Sequence, residues 1–326
     1  MPSTGKRRPG ELTEFRQAHT TAWLEYFSRR GYSDVRPAAS GVEGAIYRLG
    51  KGTVAKVWGR RRVPQLVDMQ EFYVDVAHAG LGFDTPVILS VEEVDGVAIT
   101  YERELHGEPL QARLAFDDAE LDSATVSCVI EVLKALASVP ATDAMRRMPV
   151  LDEEEPFRDE SGDFVTSLIA LLDRRVARFG DVLRSQLPDF DRRYARIMER
   201  VGGIDRVPHS VVHGDLFGDK ILVDERIRPV SVLDFGFFST AGDPRLDAAI
   251  AAGIMNMYGP HAVAIATALT DRFASELGYS PEALLIYRAA YAVATSNVFT
   301  SDGSDGHFRW CIAQLAQERL TAALDL

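Results

Sequence analysis

Four short segments between residues 45 and 101 are rich in β-branched, aromatic and other apolar residues and are bounded by turn residues, which predicts β-strands. The predicted strands are Ala45–Leu49, Thr53–Trp58, Pro86–Val91 and Val97–Tyr101. Gly50-Lys51-Gly52 separates the first two strands and Glu92–Gly96 separates the last two, so each pair is predicted to be a hairpin. Apolar residues at helical spacing predict a helix over Val63–Gly80 between the hairpins, and another over Thr13–Gly31 before them.

After about residue 111 the apolar positions follow a helical period, so the rest of the chain is predicted to be mostly helical. The predicted helices are Leu121–Val139, 163–186, 189–202, 246–258, 260–277, 281–299 and 307–324. Short apolar runs at 210–212, 221–223 and 230–233 interrupt this pattern and predict three further strands. The pattern therefore indicates an α+β fold in which a small sheet precedes a larger helical part.

Composition narrows the possible partners. The chain has 326 residues, of which 46% are hydrophobic, enough for one large or two modest cores. A formal net charge of −12 argues against nucleic acid or an anionic membrane as the main partner. The same charge would favour a cationic small substrate, although most acidic proteins are simply soluble.

The sequence also predicts the compartment. The two cysteines, Cys128 and Cys311, lie in apolar helical patterns and are expected to be buried thiols in a reducing environment. No window of about 18 apolar residues occurs, so no membrane span is expected. Met1–Gly10 is basic but has no apolar segment behind it, so it is not expected to be a signal peptide. We therefore expect a soluble, cytoplasmic protein, either a monomer or a homodimer.

Residues 209–247 carry the candidate chemistry. His213-Gly214-Asp215 follows one predicted strand, and Asp234-Phe235-Gly236 follows another, so a hairpin between them could bring Asp215 and Asp234 together. Gly242-Asp243-Pro244, with Asp247, then opens a predicted helix. One carboxylate that orients a hydroxyl and one that holds magnesium are what phosphoryl transfer requires of a protein.

In these motifs the chain resembles the aminoglycoside phosphotransferase family, the antibiotic and small-molecule kinases that share the protein-kinase fold. The resemblance covers roughly residues 40–300. It implies a bilobal protein-kinase-like fold, with a small nucleotide-binding lobe over residues 1–104 and a helical lobe over 105–326. It also implies ATP or GTP as phosphate donor, Mg²⁺, and O-phosphorylation of a small molecule such as an aminoglycoside, for antibiotic resistance or self-protection.

The resemblance assigns roles to the catalytic motifs. Asp215 would orient the substrate hydroxyl, and Asp234 would bind Mg²⁺. His213, the other candidate of the catalytic loop, is expected to brace that loop rather than touch substrate. Asp247 at its helix start could accept N–H groups of the catalytic loop, and a helix cap by Asp243 or Asp247 is the alternative reading.

In the small lobe, Lys56 of Val54-Ala55-Lys56 resembles the kinase lysine that contacts the α- and β-phosphates. Glu71 in the following helix could pair with Lys56 and hold its ammonium in place. An outward-facing lysine on an amphipathic strand and a solvated glutamate on a helix face are the simpler readings. The resemblance further implies that Gly41 and Gly44 cover the nucleotide, and that backbone groups around Glu102 to Leu105 meet the adenine.

Lys220 departs from the family pattern, because the residue five positions after the catalytic aspartate is normally an asparagine that carries a second metal ion. A protonated lysine cannot ligate Mg²⁺. The enzyme could use one metal ion on Asp234 while Lys220 supplies positive charge to the phosphates, or Asp219 could take the ligand role. Alternatively, catalysis has been lost and the chain is a kinase-like nucleotide- or ligand-binding protein.

The motifs do not specify which small molecule accepts the phosphoryl group. The substrate pocket is expected in the helical lobe, with candidates Tyr287, Asn297, Asp302, Asp305, His307 and Trp310. The acidic run Asp152–Glu155 is read as a solvated loop or as a cation-binding rim. A protein kinase is disfavoured, because the glycine triad and an Ala-Pro-Glu motif are lacking and His-Gly-Asp replaces His-Arg-Asp.

Overall fold

The computed structural model describes residues 21–41, 43–158 and 163–326. The chain divides into two compact units. The small unit comprises the described residues up to Gln70 together with Val87–Leu105, and the large unit comprises Glu71–Pro86 and His106–Leu326. Part of the predicted helix Thr13–Gly31 lies outside the described residues; of the rest, 21–29 are helical and form α1.

The small unit contains an antiparallel five-stranded sheet in the order β1-β2-β3-β5-β4. Its strands are β1 (Arg36–Ser40), β2 (Gly44–Gly50), β3 (Thr53–Trp58), β4 (Ile88–Val94) and β5 (Val97–Arg103). Strand β4 extends three residues beyond its predicted end, because the turn narrows to Asp95 and Gly96, both at positive φ. Strand β1 was not predicted, since all five of its residues are exposed and show no apolar alternation.

Aromatic residues form the core of the small unit. Phe27 of α1 packs at 5.6 Å from the ring of Tyr47 and at 6.2 Å from that of Tyr101. Leu49, Ala55, Val57 and Ile99 complete the cluster from the sheet face. Large apolar side chains of this kind contribute most of the stabilisation per residue, so α1 is held to the sheet chiefly by Phe27.

Helix α2 (Val63–His78) follows β3 and crosses the division between the units. Residues up to Gln70 belong to the small unit and residues from Glu71 onward to the large one. The small unit therefore lacks 71–86, which the predicted lobe of residues 1–104 includes. In the large unit the α2 residue Phe72 packs at 5.6 Å from the ring of Phe235.

The large unit is mainly helical. Its helices are α3 (Ser123–Ala137), α4 (Asp143–Arg146), α5 (Phe164–Gln186), α6 (Phe190–Gly202), α7 (Arg245–Ile254), α8 (Ala262–Leu277), α9 (Pro281–Thr295), α10 (Gly306–Ala316) and α11 (Glu318–Ala323). Side chains of Asp122, Asp163, Ser280 and Asp305 cap the N-termini of α3, α5, α9 and α10. The predicted helix over 307–324 is two helices, because Gln317 adopts an extended conformation between them.

Short strands carry the loops of interest in the large unit. They are β6 (Glu108–Pro109), β7 (Ser210–Val212), β8 (Ile221–Val223), β9 (Pro229–Val232) and β10 (Thr240–Gly242). Strands β6, β8 and β9 form one antiparallel sheet, and β7 pairs with β10 in another. The predicted fold class, an antiparallel sheet followed by a larger helical part, is confirmed.

The core of the large unit centres on α7 and α9. Every residue of α7 is buried, as is each residue of α9 from Ala283 onward. Cys128 in α3 and Cys311 in α10 are buried free thiols, as predicted. Within the described residues, no helix is both long enough and apolar enough to cross a membrane.

Candidate active site

The His-Gly-Asp motif leaves the end of β7, where Val212 pairs with Thr240 of β10. Gly214 adopts φ +76°, and a Cβ atom at this position would overlap the carbonyl oxygen of Phe238. Glycine is therefore required here on two grounds, since the left-handed conformation disfavours L-residues and the neighbouring backbone leaves no space. The turn at Gly214 directs the chain from the buried strand toward Asp215, whose side chain is 24% exposed.

Asp247 in the first turn of α7 fixes the His-Gly-Asp loop through its carboxylate. Its carboxylate accepts the backbone N–H groups of His213, at 2.8 Å, and of Gly214, at 2.7 Å. The predicted contact of Asp247 with the catalytic loop is confirmed. Burial raises the pKa of Asp247 to about 6, although the two backbone hydrogen bonds act in the opposite direction.

His213 is fully buried and joins the two motif loops. Its Nε2 lies 2.8 Å from the carbonyl oxygen of Leu233, and its Nδ1 lies 3.2 Å from the backbone nitrogen of Asp215. These partners require the neutral tautomer with the proton on Nε2, which donates to Leu233 while Nδ1 accepts from Asp215. Burial lowers the pKa of His213 to about 4. His213 thus contacts both motif loops as a brace would, and its expected lack of contact with substrate stays a prediction.

Ser239 is a second brace that the sequence reading missed. Its hydroxyl donates to the carbonyl oxygen of His213 at 2.6 Å and accepts the N–H of Gly236 at 2.7 Å. It therefore connects the His-Gly-Asp loop to the Asp-Phe-Gly loop. A serine three residues after a glycine is common in turns, so the local sequence gave no signal of this contact.

Asp234 follows the β8–β9 hairpin and adopts φ +56°, a left-handed conformation that is uncommon outside glycine but that aspartate and asparagine adopt more often than other residues. The hairpin places Lys220 opposite this residue, because Ile221 pairs with Val232 and the N–H of Leu233 donates to the carbonyl of Lys220 at 2.8 Å. Left-handed residues of this kind cluster at functional sites. Asp234 is therefore fixed by its backbone as well as by its side chain.

Lys220 lies between the two motif aspartates. Its Nζ is 2.7 Å from Oδ2 of Asp234 and 4.0 Å from Oδ2 of Asp215. The prediction that a hairpin brings Asp215 and Asp234 together is confirmed, with Lys220 as the shared contact. Asp219, the alternative metal ligand, is exposed in the 3₁₀ turn before β8. Across residues 21–41, 43–158 and 163–326, no group of three or more His, Cys, Asp or Glu side chains is arranged to hold a metal ion.

The Gly-Asp-Pro segment has a structural role. Asp243 accepts hydrogen bonds from Nε and Nη2 of Arg245, at 3.0 and 2.6 Å, and from the hydroxyl of Tyr287 at 2.6 Å. All three side chains are buried, and Tyr287 has no exposed surface. The suggestion that Tyr287 lines a substrate pocket is therefore wrong; burial against α7 explains its position in the sequence.

In the small unit, Lys56 of β3 is buried and its ammonium contacts a loop glutamate. Nζ of Lys56 lies 2.9 Å from Oε2 of Glu43, whose other carboxylate oxygen lies 3.5 Å from Arg61. The Lys56 ammonium also lies 3.9 Å from the ring centre of Trp58, within cation–π range. The sequence reading missed Glu43, since its neighbours suggested only a glycine turn.

Backbone contacts fix Glu43 in place. Its carbonyl accepts the N–H of Gly59 at 2.8 Å, and Gly41 donates to the carbonyl of Gly44 at 2.9 Å. Gly44 adopts φ +154°, and a Cβ there would overlap the carbonyl oxygen of Val57, so the loop lies close against β3. Val42, between these residues, lies outside the described residues.

The remaining predicted nucleotide contacts lie in and around α2 and β5. In the large unit, the exposed carboxylate of Glu71 forms an ion pair with Arg147. Because Lys56 and Glu71 belong to different units, their pairing stays a prediction. Glu102 accepts a hydrogen bond from the hydroxyl of Thr100 at 2.5 Å, and Leu105 is the last residue of the small unit.

Several acidic candidates for substrate binding have partners within the large unit. Asp305 caps α10 through the N–H of Phe308 at 2.8 Å, and Asp302 accepts the N–H of Ser304 at 3.1 Å. His307 is buried, with Nε2 at 2.9 Å from the hydroxyl of Thr295. Trp310 is also buried, and Asn297 donates to the carbonyls of Thr300 and Ser301 at 3.3 Å. Each of these contacts lies within the large unit, and a role of Asp302 or Asp305 in substrate binding stays a prediction.

The acidic run also has local partners. Asp152 forms ion pairs with Arg175 and Arg178 of α5, and Glu153 pairs with Arg174 of the same helix. Two of the four acidic residues in this run are therefore ion-paired within the protein and are not simply solvated. Its charge is largely balanced within the protein, which weakens the idea of a cation-binding rim.

The sequence profile of the "Phosphotransferase enzyme family" matches residues 34–285. A search of curated protein sequences gave no significant match. Similar solved structures include an aminoglycoside phosphotransferase, APH(3'')-Id, from Streptomyces rimosus, with 17% identity, a TM-score of 0.54, and coverage of 85% of this chain and 98% of that one.

Two further structures have the same fold. Macrolide 2'-phosphotransferase MphH from Brachybacterium faecium is 17% identical, with a TM-score of 0.59, and covers 90% of this chain and 98% of its own. The GDP complex of aminoglycoside 2'-phosphotransferase-IIIa is 16% identical, with a TM-score of 0.59, and covers 95% of this chain and 98% of its own. At these identities the likeness concerns the fold.

Proposed function

Since the chain belongs to the phosphotransferase enzyme family, we propose that it transfers the γ-phosphoryl group of ATP or GTP to a hydroxyl group of a small molecule. The observation that supports this most is the approach of Asp215 and Asp234 to the single ammonium of Lys220. Two carboxylates beside one cation, on loops braced by buried residues, form a preorganised polar site of the kind that phosphoryl transfer needs.

Asp215 is the residue we assign to the acceptor hydroxyl. Its carboxylate would accept the hydroxyl proton in a hydrogen bond and orient the oxygen in line with the γ-phosphate. Orientation matters more than full proton removal, because the transition state of phosphoryl transfer is loose. His213 is a positioning residue: its neutral ring accepts the N–H of Asp215 and fixes the backbone that carries the carboxylate.

Asp234 is the residue we assign to Mg²⁺. The ion prefers hard oxygen ligands and is often held by one or two carboxylates together with phosphates and water, so a single aspartate fits its donor preference. When bound, Mg²⁺ would neutralise charge on the β- and γ-phosphates. The exposed Asp219 is a second candidate ligand in the same loop.

The small unit supplies the residues we assign to the rest of the nucleotide. Lys56 would contact the α- and β-phosphates, and the backbone around Gly41 and Gly44 would approach them closely. Backbone groups between Glu102 and Leu105 would meet the base. Glu71, which belongs to the large unit, would contribute through Lys56. Because these nucleotides are abundant in the cytoplasm, we assign the protein to that compartment.

For the acceptor we propose an antibiotic, with aminoglycosides tested first and macrolides second. The fold is shared with enzymes whose names specify those two classes. Phosphorylation of such a compound would serve resistance or self-protection. The internal ion pairs of Asp152 and Glu153 remove two carboxylates from those available to a cationic substrate, so a less charged acceptor belongs in the same panel.

A second candidate function is a nucleotide- or ligand-binding protein with impaired catalysis. The ion pair between Lys220 and Asp234 is the observation in its favour, because an ammonium at 2.7 Å competes with a metal ion for the same carboxylate. The two candidates differ in whether a phosphorylated product forms.

Measuring turnover with ATP and with GTP distinguishes the phosphotransferase from the binding protein. Purified protein would be incubated with aminoglycosides, macrolides, peptide antibiotics and amino alcohols, and the product would be identified by mass spectrometry, with Asp215→Ala as control. Substrate-dependent release of ADP or GDP that disappears in Asp215→Ala is the expected result. Nucleotide binding without a phosphorylated product would support the binding protein, and failure to bind either nucleotide would overturn the phosphotransferase and any nucleotide-binding function.

A further inference from the structure

Lys220 occupies a defined position in the large unit. The 3₁₀ turn Gly218–Lys220 precedes β8, and the N–H of Leu233 binds the Lys220 carbonyl at 2.8 Å across the hairpin. The side chain is only 18% exposed and its Nζ lies between Asp215 and Asp234. The ring of Phe217, 5.5 Å from Nζ, adds a weak cation–π contact. Backbone and side chain therefore hold this ammonium in one place.

The chemistry of this position differs from that of an amide. An asparagine would present a carbonyl oxygen, which is a hard ligand for Mg²⁺, whereas an ammonium has three donors and no lone pair. A second divalent ion near Asp215 and Asp234 would lie beside the Lys220 charge and be repelled by it. The residues thus fit one metal ion on Asp234 and do not fit a second ion at the Lys220 position.

We infer that Lys220 is a built-in cation that replaces the second metal ion, so that this chain binds its nucleotide with a single divalent ion. The inference rests on the proposed function, since it concerns the same nucleotide. Lysine binds phosphate as a point charge, and the P-loop lysine is an established example. With the divalent ion on Asp234, Lys220 would turn its positive charge from that carboxylate to the phosphate oxygens.

The position of Lys220 also predicts how tightly the nucleotide binds in the absence of divalent metal ions. A divalent ion leaves when a chelator is added, but the lysine does not. Nucleotide affinity in the chelator should therefore depend on Lys220 itself. A hydrogen bond to a charged group contributes enough that its loss lowers affinity roughly tenfold to hundredfold.

The test counts metal ions directly. Full-length protein would be saturated with a non-hydrolysable ATP or GTP analogue and titrated with Mn²⁺, and free Mn²⁺ would be measured by electron paramagnetic resonance. We expect one bound Mn²⁺ per complex in the wild type and two in Lys220→Asn, which restores an oxygen ligand. Two ions in the wild type, or one ion in both proteins, would overturn the inference.

Lys220→Met is the matched control, because it keeps the aliphatic length but supplies neither charge nor ligand. It should bind one Mn²⁺ per complex and, in EDTA, should lose roughly tenfold or more of the wild-type nucleotide affinity measured by calorimetry. Equal affinities of wild type and Lys220→Met in EDTA would contradict the role of the ammonium. If the wild type binds neither analogue under any condition, the proposed function fails, whereas an ion count of two refutes the inference alone.

Discussion

The carboxylate of Glu43 lies 2.9 Å from Nζ of Lys56, so the small unit itself supplies an acid partner for this buried lysine. The partner comes from the loop before β2, where the carbonyl of Glu43 is fixed by the N–H of Gly59. A carboxylate that takes one ammonium donor orients the other two. Glu43 can therefore act as a positioning residue for the nucleotide-binding lysine.

We predict that Glu43→Gln raises the Kd of the nucleotide about 3- to 10-fold, because a neutral amide orients the ammonium less strongly and the pair is partly screened by solvent. Isothermal titration calorimetry would measure the change. Glu93→Gln, an exposed carboxylate on β4 of the same unit, is the matched control and should leave Kd unchanged.

A decrease of the nucleotide Kd in Glu43→Gln would be equally informative. Tighter nucleotide binding by Glu43→Gln would mean that the carboxylate occupies the place of a phosphate and must be displaced. A larger loss in Glu71→Gln than in Glu43→Gln would instead support the helix glutamate as the main partner of Lys56.

Gly214 and Gly278 share a left-handed conformation, at φ +76° and +70°, but differ in surroundings. A Cβ on Gly278, at the end of α8, meets no atom within 4 Å, whereas one on Gly214 overlaps the Phe238 carbonyl. We predict that Gly278→Ala lowers the free energy of unfolding by about 1 kcal/mol. Gly214→Ala should lower it by at least about 3 kcal/mol, because overpacking adds to the backbone strain.

Urea unfolding of both alanine variants would measure this difference. Equal losses would show that the Phe238 backbone moves away at little cost, and the close approach would then not be the reason for glycine at position 214.

His307 should make the protein less stable in acid. Burial lowers its pKa to about 4, whereas a histidine in the unfolded chain titrates near 6.5. Between these values the unfolded state binds more protons, so stability is lost as pH falls from about 6.5 to about 4. We predict that His307→Gln gains about 2–3 kcal/mol relative to wild type between pH 7 and pH 4.5, measured by chemical unfolding at each pH.

Asp247 should act in the opposite direction. Burial raises its pKa to about 6, above the value of 3.8 for a free aspartate, so the folded state binds more protons in this interval. Its contribution to stability therefore increases as pH falls from about 6 to about 4. We predict that the stability of wild type relative to Asp247→Asn rises by about 2–3 kcal/mol over that range. A difference that stays constant with pH would show that Asp247 titrates normally.

Tyr287 tests the structural reading of the Gly-Asp-Pro segment. Tyr287→Phe removes the 2.6 Å hydrogen bond to Asp243 and should lower the free energy of unfolding by about 2 kcal/mol, typical of a bond to a charged group. Because Tyr287 has no exposed surface, the KM of the acceptor should not change. A raised KM with unchanged stability would return Tyr287 to the substrate pocket.

Features that depend on only a few neighbouring residues could be predicted from the sequence. The β7 and β8 strands follow from short apolar runs, whereas the loop contacts of His213 and Asp247 were implied by the resemblance of their motifs to the family. Strand β3 was also predicted with its observed ends, because its β-branched and aromatic residues follow directly on the Gly50-Lys51-Gly52 turn.

Long-range side-chain partners could not be predicted in the same way. The contact of Lys220 with Asp234 depends on the register of β8 and β9, and a shift of one residue would turn the lysine to the other face. The Glu43–Lys56 pair depends on the close approach of Gly44 to Val57, and the Tyr287–Asp243 bond joins residues 44 positions apart. Such contacts are consequences of packing and leave no periodic signal.

The two buried cysteines of the large unit can serve as probes of its local unfolding. Cys128 is 2% exposed and Cys311 fully buried, and burial raises the pKa of Cys128 to about 12. A thiol reagent needs an accessible thiolate, so it can modify the native chain only when α3 or α10 transiently separates from its neighbours. Two single-cysteine versions would therefore report, through their labelling rates, whether these helices open independently or only when the whole unit unfolds.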